Sequence, residues 1–149
     1  MKEILLTSGN FTIVDDEDYE TLSQQVWYEI NGYAVGSRHS KNVIMHREIV
    51  NPPKDMFVDH INGVKLDNRR ENLRICTAAQ NRHNRGKQRN NTSGFKGVYK
   101  VRGKWAADIN IDGRQERLGI YDDPAKAARA YDVAAKIHHG EFAWLNFSD

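Results

Sequence analysis

The chain contains very little cysteine, and this shortage limits the cross-links and metal sites that it can form. Cys76 is the single cysteine among 149 residues, so no internal disulfide can form. Zinc sites built on paired thiolates usually contain a CxxC pair, which this chain does not have. We therefore expect no zinc site, and any metal must be held by oxygen and nitrogen atoms.

Long apolar runs are also missing from the chain. No stretch approaches the roughly 20 apolar residues that cross a bilayer, and the N-terminus lacks the basic flank and apolar stretch of a signal peptide. With 39% hydrophobic residues, the chain can still bury one modest core or two small cores. These features predict a soluble intracellular protein, located in the cytoplasm, with no membrane partner.

The formal net charge of +2 conceals a strong separation of charge along the chain. Residues 1–30 carry a net charge of −6, whereas residues 65–104 contain twelve Lys and Arg side chains against only Asp67 and Glu71. Clustered cations bind polyanions well, because each phosphate contact releases condensed counterions. The basic segment therefore favours nucleic acid as the partner, and a basic segment that is merely solvated is the alternative.

The first 56 residues have the pattern of small β-hairpins interrupted by one helix. Short β-branched and aromatic runs, "EILLTSG", "FTIVDD", "YAVGSR" and "NVIMHREIV", are separated by Gly, Asn and Asp, as expected of antiparallel strands. Between them, "DEDYETLSQQVWYEI" predicts a helix with Tyr19, Leu22 and Val26 on one face. The sequence "NPPKD" then ends this N-terminal β-rich part, residues 1–56.

Residues 57–85 predict a compact β-β-α unit. A strand comes first, Asn62 and Gly63 form a turn, and a second short strand covers about Leu73 to Cys76. Thr77 is the predicted N-cap of the helix that follows. This unit contains an unusual density of Asp, His, Asn and Arg, which a purely structural segment does not need.

Residues 86–93 are predicted to be a basic linker, and residues 94–149 a second domain. The linker has Gly, Asn and Ser with several cations and no large apolar side chain. Three strands follow, with turns at Arg102-Gly103 and Asp112-Gly113, and then a helix with Asp123 as N-cap, Pro124 in its first turn and Gly140 as its stop. Trp105, Ala107, Ile109 and Ile111 are predicted to face a helix stripe formed by Ala127, Ala128, Tyr131, Ala134, Ala135 and His138.

The polar residues of the β-β-α unit are suited to cleaving a phosphodiester bond. That reaction needs a hard cation on the phosphate, a base for the attacking water and stabilisation of the leaving oxygen. Asp59 and Asn81 offer oxygen ligands, and His60 is a base that titrates close to neutrality. In a regular strand Asp59 and His60 point to opposite faces, so a shared site requires the strand to twist or end there.

These residues resemble the HNH endonucleases, in particular the HNH homing endonucleases of bacteriophages. The resemblance rests on Asp59, His60, Asn72 and Asn81 within the frame "VDHINGVKLDNRRENLR". It implies a β-β-α-metal (His-Me finger) fold in which Asp59 and Asn81 hold one Mg²⁺ or Mn²⁺, His60 is the general base and Asn72 orients its imidazole. It also implies products with 5′-phosphate and 3′-hydroxyl ends, in a bacterial or phage-infected cytoplasm. Asn81 stands where the standard motif has histidine. The phage enzymes accept asparagine at this position.

The second domain resembles the APETALA2-type DNA-binding domain of plant ethylene-response factors. The matching segments are "SGFKGVYK", "KWAADI", "RLGIYDDPAKAARAYDVAA" and "GEFAWLNF", which imply a three-stranded antiparallel sheet packed on one helix. In that family the sheet lies in the major groove. Arg117 stands where tryptophan is usual, so the base preference of the family cannot be transferred. The groove-facing candidates are Lys96, Tyr99, Lys104, Asp108, Asn110, Gln115 and Arg117.

Together these features predict an α+β protein that is a metal-dependent, site-directed DNA endonuclease. A monomer with one active site should nick double-stranded DNA, and a double-strand break needs a DNA-assembled dimer or two events. The alternatives are a DNA-binding regulator with a non-cleaving HNH fold and, less favoured, an RNA-binding protein. The cations expected to contact phosphates are Arg47, Arg69, Arg70, Arg82, Arg85, Lys87 and Arg89.

Overall fold

A computed structural model of the chain describes residues 1–148, and residue 149 of the second predicted domain lies outside the described residues. The chain divides into two compact units, Met1–Asn81 and the residues from Arg82 onward. Helices and strands occur in both units, so the mixed α and β class is confirmed. No helix among residues 1–148 is both long and apolar enough to cross a membrane.

The first unit begins with a hairpin and a short helix. Strands β1 (Lys2–Leu5) and β2 (Phe11–Val14) pair antiparallel, and helix α1 (Asp16–Leu22) follows them. The prediction that the helix continues to residue 30 is wrong, and Val26 is exposed outside it. The buried indole of Trp27 donates its N–H to the Leu22 carbonyl oxygen at 2.7 Å, which satisfies an acceptor left open where the helix ends.

A three-stranded sheet and a second helix complete the N-terminal part of this unit. The strands, in spatial order, are β3 (Tyr28–Ile30), β4 (Tyr33–Arg38) and β5 (Lys41–Ile44), and helix α2 (Met45–Val50) follows β5. The predicted strand "NVIMHREIV" is correct only as far as Ile44. Met45 and Ile49 are both buried and lie four residues apart, so a helical turn brings both into the core, a spacing that this short run left ambiguous.

The β-β-α unit forms as predicted. Strands β6 (Phe57–His60) and β7 (Leu73–Cys76) pair antiparallel, and helix α3 (Ala78–His83) follows β7. A 3₁₀ turn, Arg70–Asn72, precedes β7. The Thr77 hydroxyl accepts the Gln80 backbone N–H at 3.2 Å and the Gln80 side chain accepts the Thr77 N–H at 2.8 Å, a capping box that fixes the start of α3.

One hydrophobic core holds these elements together, and the loop between β6 and β7 is attached to β2. The Ile13 backbone N–H donates to the Leu66 carbonyl oxygen, and the Asn68 N–H donates to the Ile13 carbonyl oxygen, both at 2.8 Å. This short parallel pairing fixes the loop that carries several candidate site residues. The buried apolar side chains of the core are Ile4, Leu6, Val14, Leu22, Trp27, Ala34, Met45, Ile49, Val58 and Leu73.

The second unit contains the predicted three-stranded sheet. Its strands are β8 (Val98–Val101), β9 (Lys104–Ile111) and β10 (Arg114–Tyr121), with β9 in the centre. The turns at Arg102-Gly103 and Asp112-Gly113 are confirmed, and all four residues have positive φ, as two-residue hairpin turns of this kind require.

Helix α4 (Pro124–His139) packs on one face of this sheet, and Asp123 caps it as predicted by accepting the Ala125 N–H at 2.7 Å. Ala107 and Ile109 of β9 lie in the same buried clusters as the helix alanines. The prediction that His138 continues the helix stripe is wrong. His139 is the buried one, because it lies four residues after Ala135, and its Nε2 atom lies 2.8 Å from the Asn110 carbonyl oxygen.

Close contacts near Gly97 and Asn146 explain why the ends of this domain have so specific a sequence. A Cβ atom at Gly97 would lie 2.2 Å from the Tyr131 ring, and φ is +75° there, so only glycine is accommodated. The Asn146 side chain accepts the Lys96 backbone N–H at 2.7 Å, while Asp132 accepts the Asn146 and Phe147 backbone N–H groups. The C-terminal "LNF" segment is thereby bonded to the start of the sheet and to α4.

The segment predicted as a linker, residues 86–93, lies within the second unit and is bonded to the residues that follow it. The Asn91 side chain donates to the Phe95 carbonyl oxygen at 2.7 Å, and Lys87 Nζ donates to the Gly94 carbonyl oxygen at 3.1 Å. Gly86 lies against the Trp144 indole, which a Cβ atom would approach to 3.4 Å. Small and polar residues therefore suit close packing here as well as the flexibility that their composition suggests.

Candidate active site

The pairing of β6 with β7 places Asp59 and His60 on opposite faces of the hairpin. Asp59 lies opposite Arg74, and His60 lies opposite Leu73, whose side chain is in the core. Both Asp59 and His60 are buried, with 7% and 5% of their surface exposed. His60 is the last residue of its strand, so the two side chains belong to the end of the hairpin rather than to its middle.

Asp59 forms a buried ion pair with Arg74. The Nη2 and Nε atoms of Arg74 donate to Asp59 Oδ2 at 2.7 and 3.0 Å, and both side chains are about nine-tenths buried. A carboxylate with few water contacts needs such a partner to remain charged. Arg74, which the sequence did not single out, therefore pairs with the Asp59 carboxylate and fixes its direction.

The His60 imidazole is enclosed by side chains from three different parts of the first unit. Its Nε2 atom lies 3.0 Å from Asn68 Oδ1. The ring of His46 stands edge-on to it with centroids 5.0 Å apart, and the ring of Tyr33 lies at 6.1 Å. His46 thus belongs to the packing around His60.

A buried hydrogen-bond chain determines which nitrogen of His60 carries the proton. The Thr12 hydroxyl donates to the Leu66 carbonyl oxygen at 2.9 Å, so its oxygen can accept the Asn68 Nδ2–H at 2.8 Å. This bond orients the Asn68 amide with Oδ1 toward His60. Because an amide oxygen only accepts, His60 Nε2 must be the donor, and the neutral ring has its lone pair on Nδ1.

The surroundings of His60 favour the neutral ring that a general base requires. Burial lowers the pKa of His60, and this effect exceeds the opposing effects of the Asn68 hydrogen bond and of the charges of Asp59 and Asp67. Burial likewise lowers the pKa of the neighbouring His46 to about 4. Two neutral imidazoles therefore lie side by side at neutral pH.

Asn72 holds the loop between the two strands. Its Oδ1 atom accepts the Asn62 backbone N–H at 3.0 Å, and its Nδ2 atom donates to the Asp67 carbonyl oxygen at 2.8 Å. Asn62 in turn forms an Asx turn by accepting the Val64 N–H at 2.8 Å. The amide at the His60 imidazole is that of Asn68, whereas these two hydrogen bonds of the Asn72 amide join parts of the loop backbone.

Asn68 and Thr12 are the site residues that sequence reasoning missed, and one signal could have indicated them. Thr12 and Val14 alternate along β2 and are both fully buried, so a hydroxyl occupies a core position of an otherwise apolar strand face. A buried hydroxyl needs a partner, which points to a second polar group nearby. No comparable local signal distinguishes Asn68 from the other asparagines of its loop.

Asn81 lies on α3, one turn after the N-cap. Its backbone N–H donates to the Thr77 carbonyl oxygen at 3.0 Å, and the residue is partly exposed. Helix α3 begins directly after β7, whose last residue, Cys76, has its pKa raised first by burial and then by the charge of Asp59. The capping box therefore sets the rotation of α3 and with it the direction of the Asn81 amide.

Asp59 and Asn81 have the chemistry of ligands for a hard cation. Asp59 supplies a carboxylate and Asn81 an amide oxygen, and Mg²⁺ characteristically takes one or two carboxylates together with water and substrate phosphate. No group of three His, Cys, Asp or Glu side chains within residues 1–148 is arranged to hold a metal ion. The residues present therefore fit a cation whose coordination is completed by substrate and water, and they do not form a closed structural site.

Several cations of the first unit that were predicted to contact phosphate form bonds within the protein. Arg70 pairs with Asp18 at 2.7 Å and with Glu17 at 2.8 Å, which ties the 3₁₀ turn to helix α1. Arg69 bonds Asp67 and Glu71. Arg47 donates to the Met56 carbonyl oxygen at 3.1 Å. The acidic N-terminal segment thus neutralises part of the basic charge that the sequence concentrates near the site.

In the second unit the cations predicted to contact DNA, whether at phosphate or in the groove, differ in exposure. Arg82, Arg85 and Arg89 have exposed side chains. Lys96, in contrast, is half-buried: its ammonium group donates to the His83 carbonyl oxygen, and burial lowers its pKa to about 8. The structure therefore directs the Lys96 charge inward, away from the other candidates.

The face of the sheet opposite α4 carries the remaining predicted DNA contacts. Alternation along β9 turns Trp105, Ala107 and Ile109 toward the helix, so the intervening residues face outward. Register then places neighbouring strands beside them, with Tyr99 near Ala106 and Arg117 opposite Asp108. The predicted residues that the structure brings together on this open face are Tyr99, Lys104, Asp108, Asn110, Gln115 and Arg117.

Comparisons with known proteins agree with both predicted resemblances. The family model described as HNH endonuclease matches residues 49–83. An uncharacterized HNH endonuclease of Acanthamoeba polyphaga mimivirus is 31% identical over 149 residues, which cover 95% of this chain and 77% of that protein. Protein 3.8 of Escherichia phage T7 is 32% identical over 93 residues, covering 61% of this chain and 76% of that protein.

A third relative has a different name. An ethylene-responsive transcription factor of Arabidopsis thaliana is 47% identical over 60 residues, which cover 38% of this chain and 32% of that protein. No solved structure shows significant similarity to the chain. The combination of an HNH nuclease with an APETALA2-type domain is thereby confirmed, and the near full-length match to the mimivirus protein shows that this chain belongs to the HNH endonuclease family.

Proposed function

We propose that the chain is a metal-dependent endonuclease of the homing type, which nicks double-stranded DNA at a site chosen by its second unit. The observation that supports this proposal best is the buried series of hydrogen bonds from Leu66 through Thr12 and Asn68 to His60. A general base needs a defined tautomer, because only one of its two nitrogens can take the proton from the attacking water, and these hydrogen bonds define one.

His60 acts as the general base through Nδ1. The Asn68 oxygen holds the proton on Nε2, so Nδ1 is the nitrogen that takes a proton from the water molecule attacking the scissile phosphorus. As the water is deprotonated, the ring becomes a cation that the Asn68 oxygen and the nearby carboxylates of Asp59 and Asp67 stabilise. The new bond from the water oxygen to phosphorus replaces the bond to the 3′-oxygen, which leaves, so the products have 5′-phosphate and 3′-hydroxyl ends.

Asp59 and Asn81 are the proposed metal ligands. A Mg²⁺ or Mn²⁺ ion bound there would supply neutralisation of the negative charge on the scissile phosphate and the leaving 3′-oxygen. Arg74 fixes the direction of the Asp59 carboxylate, as the capping box fixes α3 and Asn81. Asn72 contributes indirectly in this proposal, by holding the loop that positions Asn68.

DNA binding is assigned to the open sheet face and to exposed cations. The APETALA2-type relative is named as a transcription factor. The major groove of DNA is wide enough to admit β-strands as well as a helix. Arg82, Arg85, Lys87 and Arg89 would follow the phosphate backbone and add affinity that does not depend on sequence. Arg69, Arg70 and Lys96 contribute little to this affinity, because their charges are paired or buried within the protein.

One His60 per chain predicts one strand cut per binding event. Supercoiled plasmid carrying a bound site should therefore convert to open circles in Mg²⁺, and EDTA should prevent the conversion. His60→Ala should lower the nicking rate by about 10²- to 10⁴-fold, the usual contribution of a general base. Direct formation of linear product at low enzyme occupancy would instead indicate paired active sites on DNA.

A gel shift on the same plasmid fragment separates loss of binding from loss of chemistry. His60→Ala should bind as the unchanged protein does, because the proposed DNA contacts lie on the open sheet face and on exposed cations and do not include His60. Binding without cleavage in both Mg²⁺ and Mn²⁺, on DNA known to contain the bound site, would contradict the proposal. His138→Ala, at an exposed histidine of the second unit, serves as the matched control and should cut normally.

A further inference from the structure

The open face of the sheet contains a connected group of four polar side chains, Tyr99, Asp108, Gln115 and Arg117, which we call the Asp108 cluster. Asp108 lies at its centre on the middle strand. The Tyr99 hydroxyl and the Gln115 amide both donate to Asp108 Oδ2 at 2.7 Å, and Arg117 Nε donates to Asp108 Oδ1 at 3.0 Å. Arg117 Nη2 also donates to the Tyr99 hydroxyl oxygen.

The cluster is more ordered than a solvated sheet face needs to be. The Asp108 side chain is 10% exposed, whereas that of Arg117 is 47% exposed. Burial raises the pKa of Asp108, but the hydrogen bonds from Tyr99, Arg117 and Gln115 outweigh it and bring the pKa below its usual value. An ionised carboxylate therefore lies beneath the guanidinium and fixes it to the sheet.

The bonds within the cluster leave the outer edge of the Arg117 guanidinium available. A guanidinium has five N–H groups, and the cluster uses the edge formed by Nε and one Nη2 hydrogen. No bond within residues 1–148 is formed by Nη1. The two hydrogens of the Nη1 and Nη2 edge form a fork whose spacing matches the O6 and N7 acceptors of guanine.

We propose that Arg117 recognises a guanine in the major groove through this outer edge, and that Asp108 is the positioning residue that holds Arg117 in the reading orientation. The inference rests on the proposed function, in which the open sheet face binds duplex DNA. Tyr99 supports the same orientation, since its hydroxyl contacts both partners and its ring lies 5.7 Å from the guanidinium carbon. Preordering an arginine reduces the entropy lost when it binds, so a rigid Arg117 discriminates better than a mobile one.

Two features of the sheet agree with a role for Arg117 in DNA recognition. Arg117 and Asp108 lie directly opposite each other on paired strands, a cross-strand arrangement that fixes their separation. The register shift between Arg117 and Gly119 interrupts the ladder next to this pair, and such irregularities reorient side chains at functional positions. Lys104 on the same face pairs with the exposed Asp122 at 3.2 Å and lies outside the Asp108 cluster.

The test uses the full-length chain in EDTA, so that DNA is bound and not cut. Selection from a randomised duplex library gives the preferred site, and gel shifts then compare that duplex with versions in which each guanine in turn is replaced by 7-deazaguanine. Loss of N7 at one position should weaken binding by about 5- to 100-fold, the range expected for one bidentate contact. Arg117→Ala, which has no donor for guanine, should bind the two duplexes equally.

The positioning role of Asp108 predicts a pattern that a folding defect does not produce. Asp108→Asn and Tyr99→Phe should lower discrimination at that one guanine, while their affinity for unselected duplex stays within about twofold. Lys104→Gln, the matched control, should weaken binding to every duplex alike. Thermal unfolding of each variant identifies any that has lost the fold, and Tyr99→Phe keeps the test decisive because it removes only one oxygen.

The remaining outcomes separate this inference from the proposed function. If the full-length chain selects no sequence, the site-directed function and the inference fail together. If it selects a site and Arg117→Ala retains every preference, including sensitivity to 7-deazaguanine, the inference alone is overturned. A uniform loss of affinity in Arg117→Ala, with discrimination unchanged, would show that Arg117 contacts phosphate and would also overturn it.

Discussion

Replacing Thr12 with valine tests the hydrogen-bond chain that orients His60. Valine has nearly the shape of threonine, and Thr12 is fully buried, so the substitution removes one hydroxyl and leaves the packing almost unchanged. The Leu66 carbonyl oxygen keeps the Ile13 N–H as a donor. The Asn68 Nδ2–H loses its oxygen acceptor and retains only the Met45 sulfur at 3.6 Å.

Two effects follow, and each has an expected size. One buried N–H without a good acceptor costs about 1 to 3 kcal/mol of folding stability. The Asn68 amide is also no longer held in one orientation, and its reversed form presents Nδ2 to His60 and shifts the lone pair of the ring to Nε2. If the two orientations become similar in energy, the nicking rate falls about twofold, and a preference of about 1.4 kcal/mol for the reversed form gives about tenfold.

The assay combines urea unfolding with single-turnover nicking at saturating DNA. Thr12→Ser keeps the hydroxyl and should restore the rate, although it loses a methyl group from the core. Asn68→Ala removes the partner of His60 Nε2 altogether and should lower the rate further than Thr12→Val. If Thr12→Val and Asn68→Ala both nick at the unchanged rate with unchanged DNA affinity, His60 does not depend on its hydrogen bonds through Asn68 and Thr12. That result would refute the proposed role of these two residues in orienting the imidazole.

Three further measurements address the pH response, the metal site and the charges. Burial lowers the folded-state pKa of His46 to about 4, below the unfolded value of 6.5, so the unfolded state binds more protons between these two pH values. The free energy of unfolding should therefore fall by up to about 3 kcal/mol as the pH drops through this window. In urea unfolding, His46→Gln should reduce this fall, whereas the control His138→Gln should not. Asn81→Ala should raise the Mg²⁺ concentration for half-maximal nicking at least about tenfold, and Asn81→Asp, which keeps an oxygen ligand, should not; equal metal dependence would exclude Asn81 as a ligand. Arg89→Gln should reduce the salt dependence of DNA binding by about one counterion. Arg70→Gln breaks the pairs with Asp18 and Glu17, so it should lower the stability of the protein and leave the salt dependence unchanged. A reduced salt dependence in Arg70→Gln would instead place Arg70 on DNA.

The elements that could be predicted from the sequence are those specified by local signals. The two-residue turns at Arg102-Gly103 and Asp112-Gly113 need positive φ, which the glycines supply, and the structure has them at those positions. Thr77 and Asp123 cap their helices with the expected side-chain bonds. In each case the residues that determine the conformation lie within three or four positions of one another.

The predictions that were wrong depend on partners far away in the chain. The helix after Asp16 ends early because Trp27 enters the core and bonds Leu22, which no local pattern shows. Met45 begins a helix because the core accepts it together with Ile49. His139 rather than His138 is buried because the Asn110 carbonyl oxygen lies beside it. Tertiary packing decides such cases, and helical periodicity alone could not.

The candidate site shows the same division between local and distant information. Asp59, His60, Asn72 and Asn81 occupy a short stretch whose spacing suffices to indicate them as a set. The partners that prepare His60 do not: Thr12 is 56 residues away from Asn68, and the two meet only because the loop pairs with β2. A motif can therefore indicate the proposed reacting groups, whereas their orientation depends on the complete first unit.

Charge illustrates why a sequence total is a poor guide to a binding surface. Arg70 was predicted to contact phosphate, yet it binds Asp18 and Glu17, and the Asp15 carboxylate accepts the Arg70 backbone N–H at 2.8 Å. These bonds stabilise the turn that leads into β7, at the expense of charge available to DNA. The exposed Arg82, Arg85 and Arg89 lie in the second unit. In the proposed function, nonspecific affinity should therefore reside mainly in the second unit, which is also proposed to select the sequence, and the first unit should cut where the second has bound.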